Sequence, residues 1–310
     1  MDLIRSSHPR PEAVQSSALT IGNFDGLHLG HQALIERVVA RAPELLPALM
    51  CFEPLPAAVF RPENPPPRLM GIADRLRWAR QLGVGCIFMP RFNRTFAALG
   101  PEEFVLRLVR DTAKARHVVV GSDFRFGARA AGDVEQLVRF GKRYGFSVEV
   151  VEPVCSGAEK VSSTRLRDLL GRGKLDSARA LLGRPYTLCG RVLRGQQLGR
   201  TLGFPTVNLR PPVPPALQGV FAVRVRGGGL DHHPGVANLG RRPTVEGTGW
   251  LLEAHLFDYD GSLYGERLEV EFVEFLRGEL RFDSLESMTR QMQNDARQAR
   301  AVLATTTSDS

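Results

Sequence analysis

The chain of 310 residues carries 41 Lys and Arg against 33 Asp and Glu, a formal charge of +8, with 43% hydrophobic and 24% charged residues. This is the composition of a globular protein, long enough for two cores of ordinary size. No apolar run approaches the ~18 residues of a membrane span, and the opening MDLIRSSHPRPEAV lacks the apolar centre of a signal peptide, so the cytoplasm is the expected compartment. The arginines are spread rather than blocked, so nucleotides suffice as anionic partners and neither nucleic acid nor membrane is expected. Cys51, Cys86, Cys155 and Cys189 are scattered without a CxxC pair, as reduced packing residues are.

In chain order, Ala18 to Ile21 form a β-prone run that stops at the turn GNFDGLHLGH, after which Leu34, Ile35, Val38 and Val39 recur at helical spacing. His28 and His31 therefore stand where a strand hands over to a helix. Unpaired N–H groups and the positive end of the macrodipole favour an anion there, and phosphate is the natural candidate. The two rings can face the same way and donate hydrogen bonds, and Gly30 lets the backbone approach without a Cβ. Ala48 to Phe52 is a second strand, ended by Glu53-Pro54-Leu55-Pro56. Leu76, Ala79 and Leu82 mark a helix before a strand over Val84 to Met89, and Pro101-Glu102-Glu103 opens another helix whose apolar face holds Phe104, Val105, Leu108 and Val109. Strands follow at His117 to Val120, which runs into GSDFRFG, and at Phe146 to Val151. This alternation predicts a mostly parallel sheet with helices on both faces and ligands beyond the carboxyl ends of its strands. Asp123 and Phe124 lie just past one such end, where a carboxylate and a ring can position a heterocycle or its sugar, or simply make a turn with a buried phenylalanine.

At VSSTRLRDLL, Ser163 and Thr164 precede Arg167 at a second helix start, which serves an anion or a plain cap. The helical connector that follows, broken at Gly171 and Gly173, carries Leu169, Leu170, Leu175, Leu181 and Leu182, expected to pack against the first domain. After Pro185 the pattern changes to short β-prone stretches at Leu188 to Leu193, Val220 to Val225, Gly235 to Asn238, Leu251 to Phe257 and Leu268 to Phe272, predicting a small antiparallel barrel. Gly195, Gly199 and Gly203 punctuate a loop leading to Phe204-Pro205-Thr206-Val207-Asn208, without the order of a P-loop. Alternation places Thr206 and Asn208 on one face, a hydroxyl and an amide oxygen suited to Mg²⁺. Glu253 shares a face with Leu251 and His255, so it either meets solvent or is held inside for use as a base. Asp283 and Glu286 form a capping-box pattern before a stripe of Leu285, Met288, Met292, Ala296, Ala299 and Leu303.

GNFDGLHLGH followed by SSTRLR resembles the nucleotidyltransferase half of the bacterial bifunctional riboflavin kinase and FAD synthetase family. GRTLGFPTVNL, GVANLGRRPT and LEAHLFDYDGSLYG resemble its kinase half, with Val207 where the family's PTAN has alanine. The resemblance, spanning Ser17 to Phe282, implies a Rossmann-like α/β adenylyltransferase domain over 1–185, a β-barrel kinase domain with a terminal helix over 186–304, and a disordered tail over 305–310. It implies phosphorylation of riboflavin to FMN and adenylylation of FMN to FAD, with ATP as co-substrate and Mg²⁺ as the cation. In the first domain it makes His28 and His31 catalytic, assigns ATP to Gly22, Phe24, Gly30, Ser163, Thr164 and Arg167, and assigns flavin to Asp123, Phe124, Asn23 and Asp25, the last two serving equally well as turn formers or toward the metal. In the second it makes Glu253 the catalytic base, gives ATP and Mg²⁺ to Gly195, Gly199, Gly203, Thr206 and Asn208, and adds Arg241 and Arg277 as flavin contacts. Leu55 and Gly85 depart from the histidine and aspartate common in the family and receive no role. The alternatives are a nucleotidyltransferase for another phosphorylated acceptor such as phosphopantetheine, and a basic RNA-binding relative of class I synthetases. The first leaves the barrel motifs without a purpose. The second lacks a KMSKS-like segment and a basic block with interleaved aromatics.

Overall fold

The computed structural model describes residues 1–5, 15–193, 204–244 and 247–305, with backbone alone at 242–244 and 247–248. The chain forms two compact units, Met1–Pro66 with Ile72–Ser162, and Pro67–Gly71 with Ser163–Ser310.

In the first unit the strands are β1 (Asp2–Ile4), β2 (Ser17–Ile21), β3 (Leu46–Met50), β4 (Cys86–Phe88), β5 (Ala115–Gly121) and β6 (Ser147–Val151), all parallel in the order β1-β4-β3-β2-β5-β6. Strand β1 has no counterpart in the sequence reading, because three residues show no periodicity. The main helices are α1 (Leu29–Val39), α2 (Pro56–Phe60), α3 (Ile72–Gln81), α4 (Arg94–Ala97), α5 (Pro101–Phe104, continued as a π-helix over Val105–Thr112) and α6 (Val134–Tyr144). Alternation along the strands gives the sheet two apolar faces. Leu19, Ile21, Val118 and Val120 pack with Val105, Leu108 and Leu137 on one side, and Ala18 and Val119 pack with Val38 on the other. Helices therefore cover both faces, as the alternating pattern requires. The chain runs outward from β2 through β3 and β4, then returns to β5 beside β2, so the strand order reverses between β2 and β5. Ligands bind at such reversals, beyond the carboxyl ends. Gly85 precedes β4 at the opposite, amino end, where a Cβ would lie 2.7 Å from Leu46 Cδ1, so its departure from the family pattern falls away from that site.

The second unit opens with α7 (Ser163–Gly171) and α8 (Leu175–Leu182), joined by a turn in which Gly173 has φ +68°. Helix α8 packs on barrel strands, with Leu175, Ala178, Leu181 and Leu182 buried. The cause is the turn: a Cβ on Gly173 would stand 2.6 Å from Phe275 Cγ, so the missing side chain lets the helix pair seat against a barrel ring. A two-residue hairpin, β7 (Cys155–Ser156) and β8 (Glu159–Lys160), ends the first unit. The barrel comprises β9 (Tyr186–Leu193), β10 (Thr206–Leu209), β11 (Gly219–Gly227), β12 (Leu230–Thr244), β13 (Gly247–Leu256) and β14 (Arg267–Arg277). These are antiparallel throughout and close in the order β10-β13-β12-β11-β14-β9. Its interior is filled by alternate residues such as Phe221, Val223, Leu239, Leu252, Ala254 and Val270, each at most 1% exposed. The outer face bearing Ala222 and Val236 is covered by α9 (Leu285–Thr305) through Ala296, Ala299 and Leu303. Ser284 rather than Asp283 caps α9, its Oγ accepting from the Ser287 N–H at 3.1 Å. The helix includes Thr305, the first residue assigned to the tail, and 306–310 lie outside the described residues.

Candidate active sites

In the first unit the turn after β2 is held in shape by its own side chains. Phe24 (φ +48°), Gly26 (φ +92°) and Leu27 (φ +45°) bend it, and the Phe24 and Leu27 side chains are fully buried. This anchors His28 as the N-cap of α1, with its Nδ1 accepting the His31 backbone N–H at 3.3 Å. A ring nitrogen that accepts cannot carry the proton, so the neutral His28 ring holds its N–H on Nε2. The His28 and His31 rings stack with centroids 3.7 Å apart and planes inclined by 14°. Three-residue spacing thus brings both imidazoles to one face at the helix start. Gly30 serves this pair in a way the sequence does not reveal: a Cβ there would lie 3.3 Å from His28 Cε1 and Nδ1 and 3.5 Å from the Val161 carbonyl. Gly22 likewise gives room to the Phe24 ring, which sits 4.9 Å from the His31 ring. Asn23 is exposed at the outer bend of the turn and Asp25 is buried.

The loops after β3 and β5 meet an unbroken chain of aromatic rings. From exposed Phe60 it runs through Phe92, Phe96, Phe104 and Phe126 to Phe124, neighbouring centroids lying 5.4 to 6.4 Å apart, with Phe52 beside Phe92 and Phe96. Phe124 is partly buried and stacks on Phe126 at 16°. Asp123 is ion-paired with Lys160 of β8, and the hydrogen bond from that ammonium holds its carboxyl below the usual range. Lys160 escaped the sequence reading, since a lone lysine in a two-residue strand carries no pattern. Leu55, at the start of α2, is buried and offers its helix no side-chain cap.

In the second unit Ser163 begins α7, Thr164 is exposed, and the Arg167 Nε donates to the Pro67 carbonyl at 2.6 Å. On the barrel, one rung of consecutive register partners crosses five strands: Asn208, Glu253, Asn238, Val220 and Arg277. Glu253 belongs to neither of the two settings the alternation suggested. It lies on the outer face of the barrel, because its neighbours Leu252 and Ala254 fill the interior, and it lines a cavity of about 440 Å³. Its lining includes the polar side chains of Thr206, Asn238, Glu253 and His255 and the apolar ones of Leu280, Phe282, Met288 and Met292. The two methionines of the helical stripe therefore wall a cavity instead of joining the core. His255 is fixed by a 2.9 Å hydrogen bond between Nδ1 and the Pro205 carbonyl. Arg277 lines the cavity, whereas the Arg241 guanidinium lies 5.4 Å over the Trp250 ring and is not part of the lining. Gly195, Gly199 and Gly203 lie outside the described residues. Asn238, quoted within GVANLGRRPT but given no role, is the residue of this rung that sequence reasoning missed. A lone amide in the apolar run Gly235 to Leu239 was the available signal.

The family model described as FAD synthetase matches residues 10–165, and that described as riboflavin kinase matches residues 182–303. A bifunctional riboflavin kinase/FMN adenylyltransferase of Haemophilus influenzae is 40% identical over 97% of this chain and 99% of its own length. The chain belongs to this family. It is an enzyme that combines a kinase and a nucleotidyltransferase, and the family's Pseudomonas fluorescens member is 43% identical over 98% of both chains. Among solved structures, one titled macrolide-efflux protein from Streptococcus pneumoniae is 29% identical, covers 94% of this chain and 96% of its own, and has a TM-score of 0.79. Among the described residues no helix is long and apolar enough to cross a membrane. Family membership accounts for the barrel motifs, which the phosphopantetheine reading left without a purpose.

Proposed function

We propose that this chain carries out both reactions of its family at separate sites, phosphorylating riboflavin to FMN over 186–304 and adenylylating FMN to FAD over 1–185, with ATP as donor each time. The observation that supports the reading is that Glu253 and Thr206 line one cavity on the outer face of the barrel, with Asn208 as the register partner of Glu253. About 440 Å³ falls within the roughly 300–1,000 Å³ of sites for ligands of this size. Glu253 accepts the proton of the riboflavin primary hydroxyl as that oxygen attacks the γ-phosphorus and ADP leaves. Thr206 and Asn208 offer hard oxygens, the donor chemistry that Mg²⁺ takes, and the cation when bound offsets the charge of the phosphates. The apolar wall of Met288, Met292, Leu280 and Phe282 accommodates the flat ring system.

In the first unit the FMN phosphate attacks the α-phosphorus of ATP and pyrophosphate leaves, so the protein supplies alignment and positive charge rather than a nucleophile. His28 contributes Nε2–H and, with the stacked His31 and the start of α1, lines the triphosphate. By resemblance to the family, Ser163, Thr164 and Arg167 are further ATP-binding residues, Gly22, Phe24 and Gly30 shape the turn after β2, and Asn23, Asp25, Asp123 and Phe124 serve the flavin nucleotide. The test is product chromatography after incubation with riboflavin, ATP and magnesium. Glu253→Gln is expected to lower FMN formation about 10²-fold or more while FAD synthesis from supplied FMN persists. His31→Ala is expected to do the reverse, and loss of both activities in either variant would contradict the division of labour.

A further inference from the structure

The first unit seals one guanidinium away from water with little to hold it. Arg75 lies near the start of α3, its side chain is 0% exposed, and none of its three guanidinium nitrogens has a hydrogen-bond partner among the described residues. The one charge it meets among them is Glu53, whose Oε2 is 3.7 Å from Nη1, too far for a hydrogen bond. Its neighbour Asp74 is turned to Arg77 instead, at 3.8 Å. A buried charge is normally both paired and hydrogen-bonded, and the start of a helix is its positive end, which disfavours a cation. Apolar side chains of like volume often replace such a pair with no loss of stability. Stability alone thus leaves Arg75 without a purpose, which points to what Glu53 holds.

Glu53 stands just beyond β3, at the carboxyl end of the sheet, and its backbone joins two loops. Its N–H donates to the Pro90 carbonyl at 3.4 Å and its carbonyl accepts the Phe92 N–H at 3.1 Å, which carries the pairing of β3 and β4 past the strand ends. Phe52 and Phe92 flank this junction with ring centroids 5.8 Å apart, and both belong to the aromatic array that leads to Phe124. The Glu53 side chain is 26% exposed, so it is the outward half of a pair whose inward half is sealed. In a low-dielectric interior the attraction acts strongly across 3.7 Å, and without hydrogen bonds it draws the junction inward without fixing the orientation of the carboxylate.

We propose that Arg75 is a positioning residue for adenylyl transfer: through Glu53 it holds the loops after β3 and β4 where their rings meet the flavin nucleotide. The inference deepens the reading of the first unit as the site of FMN adenylylation and rests on it. By that reading ATP lies along the start of α1, on the turn after β2, so the pair governs the acceptor nucleotide and not the donor. No proton or bond changes at Arg75 or Glu53.

The test measures KM for FMN and for ATP, together with the urea midpoint of adenylylation, in the full chain. The variants are Arg75→Met, Arg75→Lys, and Arg75→Met combined with Glu53→Gln. The double variant removes both charges at nearly constant volume, so its midpoint is expected to match or exceed that of wild type. Its KM for FMN is expected to rise about tenfold or more, with KM for ATP and riboflavin phosphorylation unchanged. Arg75→Met should do the same. Arg75→Lys keeps the charge and loses no fork of hydrogen bonds, so it should retain most of the affinity for FMN. A wild-type KM for FMN in the double variant overturns the proposal, as does Arg75→Lys behaving like Arg75→Met. Rises in both KM values together with a lower midpoint assign the pair a structural role and overturn it too. Failure of the underlying reading is seen separately, as wild type forming no FAD from supplied FMN and ATP.

Discussion

Arg277 closes a fork on Asp295: Nε lies 2.9 and 3.1 Å from the two carboxylate oxygens and Nη2 lies 2.6 Å from Oδ2. Gln291 donates to Oδ1 at 2.9 Å, and Arg277 Nη1 donates to the Gly278 carbonyl at 2.8 Å. Each guanidinium nitrogen is thus engaged by the protein, and the residue expected to meet flavin acts first as a strut. It ties β14 to α9, and the cavity is lined by Leu280 and Phe282 beyond the end of β14 and by Met288 and Met292 of α9. Asp295→Asn keeps the volume but strands the arginine charge in a pair of which Asp295 is 4% exposed. Breaking a buried pair costs roughly 3–5 kcal/mol. The variant is expected to unfold at lower urea concentration by kinase assay and to show a raised KM for riboflavin, with adenylylation of supplied FMN unchanged. An unchanged KM would show that the fork does not set the cavity.

Gly30 separates helix stability from chemistry. It lies in α1, where alanine is the better helix former by about 1 kcal/mol. A Cβ there would press on the His28 ring at 3.3 Å, tighter than ordinary contact, and displace it from its stack on His31. Gly30→Ala is expected to leave the urea midpoint of the first unit unchanged or raised while adenylyl transfer falls at least tenfold and riboflavin phosphorylation persists. Full adenylyl transfer in this variant would mean that the ring position is not critical.

What the sequence conveyed followed from local spacing. The His28 and His31 pair, the strand that feeds it, and Thr206 and Asn208 on one face all depend on neighbours within a few residues, where geometry is fixed by helix or strand period. Relations that depend on distant segments were hidden. The face of Glu253 was ambiguous because α9, which covers the outer side of the barrel, begins at Leu285. Lys160 reaches Asp123 from 37 residues away. Helices α7 and α8 read as part of the first domain since their leucine spacing says that a face is buried but not against what. Gly173 held the answer, yet its use is visible only once Phe275 stands over it.

That same glycine gives a stability prediction. A side chain at φ +68° costs about 1–2 kcal/mol in backbone strain alone, and the 2.6 Å approach to Phe275 adds a clash with a ring that also packs on Phe221. Gly173→Ala is therefore expected to destabilise the second unit by more than 2 kcal/mol, read as a lowered urea midpoint of kinase activity. Gly157, also at positive φ (+65°) but with nothing within 4 Å of its Cβ position, provides the comparison. Gly157→Ala should show the strain without the clash, and equal losses at the two sites would remove packing on Phe275 from the explanation.

His117 makes the stability of the first unit depend on pH. Its buried ring bridges Ser147 Oγ at 2.8 Å and Glu149 Oε2 at 3.1 Å, and Glu149 also pairs with Arg41 and Arg37. Burial disfavours the imidazolium and Arg41 repels it, and together these outweigh the hydrogen bond and charge of Glu149, so the ring titrates below its ordinary value. The unfolded chain, with His117 near the usual ~6.5, therefore binds the proton more readily than the folded one. Stability from this group is complete above that value and declines as pH falls through it toward the folded value. His117→Gln should lower the urea midpoint at pH 8 by removing the bridge, yet lose less than wild type between pH 8 and 5.5. If both proteins lose the same amount over that interval, the acid sensitivity of the first unit resides in another group.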